Sequence, residues 1–459
     1  MTNKLSRCVV LPDLYKKSRI LYCFSCAARY VFGIVSRCML GCGVLFVALS
    51  SQASDETVRV NMPLMVEDAV AQALSANTTL ALRRERAQAM TYQVAPAGAL
   101  PDPRLSVNLA NLPTDDPGFG NDPMTQIQIG LAQDLPFPGK RRLRRDAMAF
   151  DAQAEAIGVD EFQSQLVRDV KLHWWQLFYI DRALETVARN HELMRQLVAT
   201  AQSQYAVGRG LQQDVLLAQL ELSRLLDEEI MLTESRRLSE AALATLLDWP
   251  VDSRIELPPS GDTALPELPE ETELLAMAME ERSELRKVQT DIDAAESRRD
   301  LAQRELYPDF RIAAVYGERE DRSDLASLQF SMSLPLYAKS KQRQLVDQRD
   351  AELIVARTAL LDSRARVASE VAQALARYHR ARDGMALYES GIIPQAKQTV
   401  DSMLAGYQVG KVDFTQLVRT QTTLYQYQKQ FWLAFSTANQ ALARLEAAVG
   451  REFISSSSE

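Results

Sequence analysis

Leu100-Pro101-Asp102-Pro103-Arg104-Leu105 recurs as Tyr307-Pro308-Asp309-Phe310-Arg311-Ile312. Two further stretches return in the same order, each about 200 residues on. Asp134-Leu135-Pro136-Phe137-Pro138-Gly139-Lys140 is answered by Ser333-Leu334-Pro335-Leu336-Tyr337-Ala338-Lys339. Tyr205-Ala206-Val207-Gly208-Arg209 is answered by Tyr407-Gln408-Val409-Gly410-Lys411, and Gln219 by Gln421. A unit this long is half a domain copied, not a small solenoid repeat.

Each copy begins with a helix (Met65 to Met90; Glu271 to Glu305) and continues into two alternating segments. In Arg104–Leu109 the residues Leu105, Val107 and Leu109 alternate with Arg104, Ser106 and Asn108; in Gln126–Leu131, Ile127, Ile129 and Leu131 alternate with Gln126, Gln128 and Gly130. The second copy has strands at Phe310–Tyr316 and Ser327–Leu334, where Leu328, Phe330, Met332 and Leu334 oppose Ser327, Gln329, Ser331 and Ser333. One apolar face against a small polar face suits a barrel strand between lipid and a wet lumen. A soluble sandwich gives the same alternation.

From Lys140 to Tyr205 there is no proline and one glycine, Gly158. Such a helix is about 100 Å long at about 1.5 Å per residue. The Gly208-Arg209-Gly210 turn reverses it into a second helix from Gln212 to Leu247. The later copy repeats the hairpin: Lys339 to Tyr407 with a kink expected at Pro394, a turn at Gly410, then Phe414 to Val449. The proline-rich segment 250–270 links the copies, so the expected organisation is a first repeat at 54–249, a second at 271–450 and a polar tail at 451–459.

Residues 1–53 read as a signal peptide: seven Lys or Arg, an apolar run from Met39 to Leu49, and a small-residue exit at Ser51-Gln52-Ala53. All five cysteines lie there, so the mature chain has no disulfide and no thiolate ligand. Removing that leader, with its one acid, turns the net charge from −8 to −14. An acidic exported chain is a poor partner for nucleic acid and, as a pore, favours cations. After Ala53 no apolar run approaches a spanning helix, so the chain enters a membrane as β-structure or stays soluble. Four strands cannot close a barrel, since the smallest transmembrane ones use about eight. Open edges are prohibitive in lipid, so several chains must share one.

These residues resemble the TolC-like outer-membrane efflux proteins over essentially the whole mature chain. The resemblance rests on Glu67 through Asn77, Pro101-Asp102-Pro103-Arg104, both glycine turns, and Leu246-Leu247 before the linker. Leu135-Pro136-Phe137-Pro138-Gly139-Lys140-Arg141-Arg142 is similar to the heavy-metal cation efflux branch, the CzcC- and CusC-like proteins. The resemblance implies a mixed α and β membrane protein acting as a homotrimer. Long helical hairpins would form a periplasmic α-barrel, and four strands per chain would enter a shared twelve-stranded transmembrane β-barrel. It implies an outer-membrane exit duct with a long periplasmic extension, working with a periplasmic adaptor and an inner-membrane resistance-nodulation-division pump. Cargo conducted passively needs no cofactor and no enzymatic site.

The expected lipid-facing residues are Leu105, Val107, Leu109, Ile127, Ile129, Leu131, Leu328, Phe330 and Met332. Gly208, Arg209, Gly410 and Lys411 are candidate adaptor contacts; the glycines equally suit left-handed helix caps, and the cations equally complement a negative helix end. Asp214, Asp413, Gln416 and Arg419 are candidates for the periplasmic gate. Gln416 and Arg419 stand where some family members carry an acidic ring, and Asp413 also suits a helix N-cap. His173, His191 and His379 are too scattered to form a metal site. Trp174, Trp175, Phe178 and Tyr179 read as helix packing. Lys140 through Arg145 is a candidate contact for inner-leaflet headgroups. Other readings are a duct for drugs or for type I protein secretion, and a periplasmic coiled-coil scaffold.

Overall fold

A computed structural model describes residues 63–453 except 116, 117, 121, 260 and 262. The expected signal peptide and the last residues of the tail lie outside the described residues. The elements run α1 (Val66–Ala76), α2 (Thr78–Gly98), β1 (Arg104–Ala110), β2 (Gln126–Leu135), α3 (Lys140–Ala206), α4 (Gln212–Leu247), α5 (Glu271–Glu281), α6 (Ser283–Arg304), β3 (Phe310–Glu318), β4 (Leu325–Met332), α7 (Gln342–Leu387), α8 (Ile393–Gln408) and α9 (Phe414–Val449).

Both opening helices are broken where one continuous helix is expected. Asn77 leaves helical geometry at ψ 115°; its side chain accepts from the Leu80 amide at 2.9 Å and donates to the Leu246 carbonyl at 3.0 Å. Arg282 breaks the second copy at ψ 119°, placing its guanidinium, 4% exposed, 3.0 Å from Glu161. A buried cation is tolerable only with such partners, and Glu284 and Glu370 add to them. Burial pushes the Glu161 carboxyl above its ordinary range, and Arg282 only partly offsets this. The disturbance expected at Pro394 takes the form of a π-helical turn at Tyr388–Ile392 between α7 and α8. Proline lacks the amide that would continue the α-ladder, and the widened turn absorbs the gap.

The four strands form one antiparallel sheet in the order β1-β2-β3-β4. Both hairpins pair identically under the repeat. Arg104 opposes Ala132 as Arg311 opposes Ser331, and Val107 opposes Ile129 as Ala314 opposes Leu328. The copies join through β2 and β3, where Leu135 opposes Phe310 and Ile127 opposes Glu318. Asp134 on β2 is bridged by Arg104 at 3.0 Å and Arg311 at 2.5 Å, both from neighbouring strands.

The helices carry the core. Leu166, Val170, Trp174, Leu177 and Phe178 of α3 pack with Ala69, Ala73 and Leu80 from the opening helices and Leu243 and Leu247 of α4. The aromatic cluster is packing, as read: Trp174 stacks on Phe178 at 5.6 Å, Trp175 meets Phe435 edge-on, and the Trp174 indole donates to the Leu64 carbonyl. The linker is strapped down. Ile255 is fully buried, Arg236 donates to its carbonyl, and the Leu64 amide donates to that of Glu256.

Candidate functional site

Three places stand out. On one face of the sheet the register aligns Leu105, Val107 and Leu109 with Leu131, Ile129 and Ile127, then with Ala314 and Tyr316, then with Leu328 and its neighbours Phe330 and Met332. All nine residues expected to face lipid are solvent-exposed, from 37% at Ile127 to 80% at Leu328. The opposite face carries Ser106, Asn108, Gln128, Gly130, Gln329 and Ser331. A contiguous exposed apolar surface of this kind marks contact with another apolar phase. Among the described residues no helix is long and apolar enough to cross a membrane.

The second place is the pair of helical turns. Gly208 (φ 73°) and Gly410 (φ 71°) are both left-handed, where a Cβ would be strained. Each amide donates one turn back, to Tyr205 and Tyr407, and the next amides reach Gln204 and Gly406. This double bond is a Schellman cap. Arg209 and Lys411 project beyond it, exposed, beside exposed Val207 and Val409.

The gate candidates are not equivalent. Gln416 and Arg419 are exposed on α9, and Asp413 caps α9 by accepting from the Thr415 amide at 3.2 Å. Asp214 is 6% exposed, with one carboxylate oxygen taking the Leu211 amide and the other buried without a hydrogen-bond partner. Burial and the charge of Asp214 push the phenol of Tyr407 up, and its hydroxyl is likewise buried and unpaired. The structure thus sets the Asp214 charge close to Tyr407 of the opposite hairpin, which packs in one tip cluster with Phe414, Leu417 and Val418.

The third place lies at the strand-to-helix junction and overturns one expectation. Lys140 is 1% exposed rather than available to lipid headgroups. Its ammonium donates to Glu305 at 3.0 Å, to the Tyr307 carbonyl at 3.0 Å and to Asp309 at 2.9 Å, using all three protons. Asp309 also takes the Phe137 amide at 2.8 Å, and the Phe137 ring stacks on Tyr307 at 4.7 Å. Arg141 reaches the Gly98 carbonyl and Arg144 reaches Glu305, leaving Arg142 and Arg145 outermost. The recurring Asp102 and Asp309 were the available signal for this joint; the basic run beside it masked the internal use of its first cation.

No group of three His, Cys, Asp or Glu among the described residues is placed to hold a metal ion. The sequence profile described as outer membrane efflux protein matches residues 69–248 and again 274–451, one match per repeat. No curated protein matches. Among solved structures, VceC from Vibrio cholerae superposes with a TM-score of 0.72 at 17% identity, over 84% of this chain and 96% of that one. CusC gives 0.71 at 16%, over 84% and 92%. The open-state channel MtrE from Neisseria gonorrhoeae gives 0.71 at 17%, over 84% and 89%.

Proposed function

The chain belongs to the outer-membrane efflux protein family, and on that premise we propose that it is the passive exit duct of a tripartite pump. Three copies share one twelve-stranded barrel in the outer membrane and one helical tube in the periplasm. The observation that carries this reading is the apolar band across a four-stranded sheet whose two edges are both open among the described residues. In lipid such edges leave backbone groups unpaired, and sharing a barrel removes them. The helical layer supports the same reading. Leu216, Leu220, Ile230 and Leu238 on α4, and Ile354, Val355 and Leu361 on α7, remain exposed on helices of a single chain.

The turns carrying Gly208, Arg209, Gly410 and Lys411 are the end that meets a periplasmic adaptor, which in turn carries a resistance-nodulation-division pump. Asp214, Gln416 and Arg419 form a mixed gate at that entrance, beside Asp413, which caps α9. Heavy-metal cations are the proposed cargo, supported by the resemblance of the Leu135–Arg142 motif to the heavy-metal cation efflux branch. A strain lacking the chain, challenged with copper, silver, zinc, cobalt, cadmium and nickel, tests the cargo. Sensitivity to at least one metal, restored by the intact gene, is expected. Unchanged tolerance to all six, with sensitivity to drugs instead, overturns the cargo while leaving the duct.

A further inference from the structure

Among the described residues the sheet has two unpaired edges, β1 and β4, and the internal repeat states how they meet. Resting on the shared-barrel reading, we infer that β4 of one copy pairs antiparallel with β1 of the next in a register fixed residue by residue. Met332 faces Leu105, Phe330 faces Val107 and Leu328 faces Leu109. On the inner side, Ser333 faces Arg104, Ser331 faces Ser106 and Gln329 faces Asn108.

Pairings within the chain fix this register. The repeated motifs equate Arg104 with Arg311 and Asp134 with Ser333. Carried across that correspondence, every pair of the first hairpin lands on an observed pair of the second: Arg104 with Ala132 becomes Arg311 with Ser331, Leu105 with Leu131 becomes Ile312 with Phe330, and Leu109 with Ile127 becomes Tyr316 with Ala326. The correspondence therefore holds at single-residue resolution through all four strands. The β2–β3 junction is the chain's own example of a second strand meeting a first strand of the other repeat. Its pairs Gln133 with Ile312, Leu131 with Ala314 and Gly130 with Val315 carry over to Met332 with Leu105, Phe330 with Val107 and Gln329 with Asn108.

The two faces of the strands agree with this register independently. The inferred register sets three exposed apolar residues of β4 against three of β1, with polar residues opposite polar on the other face. A slip of one residue would turn one strand's apolar set into the lumen, so the band would break at the seam. The joint also places Arg104 beside Ser333, where the internal seam has Arg311 bridged to Asp134. The intersubunit seam thus lacks the acid that the internal seam has. The likeness stops at the helix: α3 begins directly after Gly139, whereas α7 begins only at Gln342, beyond an inserted turn. The Lys140 joint has no residue-for-residue copy there.

Cysteine cross-linking in the full-length protein tests the register, because no cysteine follows Cys42. Neighbouring positions of an antiparallel ladder alternate between two spacings, so one pair is needed on each face. The pairs are Gln329→Cys with Asn108→Cys, and Phe330→Cys with Val107→Cys. Offset controls are Ser327→Cys with Asn108→Cys, and Leu328→Cys with Val107→Cys. Native mass spectrometry of each variant first reports the number of copies. Oxidation is expected to shift the denatured band of an in-register pair from one chain to two and three, with the controls unshifted. A three-copy particle that cross-links in the controls, or in no pair, overturns the register alone. A single-copy particle overturns the shared barrel on which it rests.

Discussion

The two β-hairpins of this chain are interchangeable, whereas the two joints and two tips around them are not. β1–β2 and β3–β4 share one register and one apolar face. At the base of the sheet, by contrast, the first copy seats Lys140 among three acceptors of the second, while the second copy inserts a turn before α7. At the far tips, Asp214 is buried where Gln416 is exposed, and Tyr407 is buried where Tyr205 is half exposed. Ladder pairing with one face in lipid tolerates no slip, so duplication is preserved there. Helix ends that meet other surfaces are free to diverge.

The largest expected effect breaks the joint. Lys140→Ala takes the cation from Asp309, leaves Glu305 with Arg144 alone, and is expected to cost about 3–5 kcal/mol. Its motif counterpart Lys339→Ala, exposed on the chain, should change stability by under about 0.5 kcal/mol. Chemical unfolding of the detergent-extracted protein compares the two. Equal losses would mean that both joints are built alike.

Next come the faces of the sheet. Leu328→Arg is expected to cost about 2–4 kcal/mol in the membrane, and Gln329→Arg close to nothing, read by the yield of protein in purified outer membranes. Similar losses at both positions would remove the distinction between lipid face and lumen face. The turns should then behave as twins. Gly208→Ala and Gly410→Ala each force a Cβ into left-handed geometry and should each cost about 1–2 kcal/mol by thermal unfolding. A clear difference between them would show that the identical caps carry unequal loads.

The smallest effect concerns the tip tyrosines. Tyr407 has its phenol pushed up by burial and by Asp214. A raised phenol pKa in the folded state contributes stability that is complete below the ordinary value of 10.0 and is lost as pH rises through the folded value. Ultraviolet difference titration of Tyr407→Phe against wild type should therefore remove a tyrosine that ionises late. Loss of a tyrosine that ionises at the ordinary value would contradict the burial of the Tyr407 phenol beside Asp214.

The hairpin architecture was legible because its causes are local. Alternation set the strands, the proline-free stretch set α3, and glycine with its following bonds set the turns. Three features escaped because their causes are distant in sequence. Asn77 breaks its helix for the sake of Leu246, Arg282 breaks its own beside Glu161, and Lys140 is drawn from a basic run by Asp309. Asp214 was legible as an acid just after the first glycine turn, but its burial depends on the second hairpin packing against the first.

The unequal copies matter only if the equal ones close a ring. Native mass spectrometry of the detergent-extracted protein measures this directly. Three copies per particle are expected, and a stable single-chain particle extracted from the outer membrane would contradict the shared barrel.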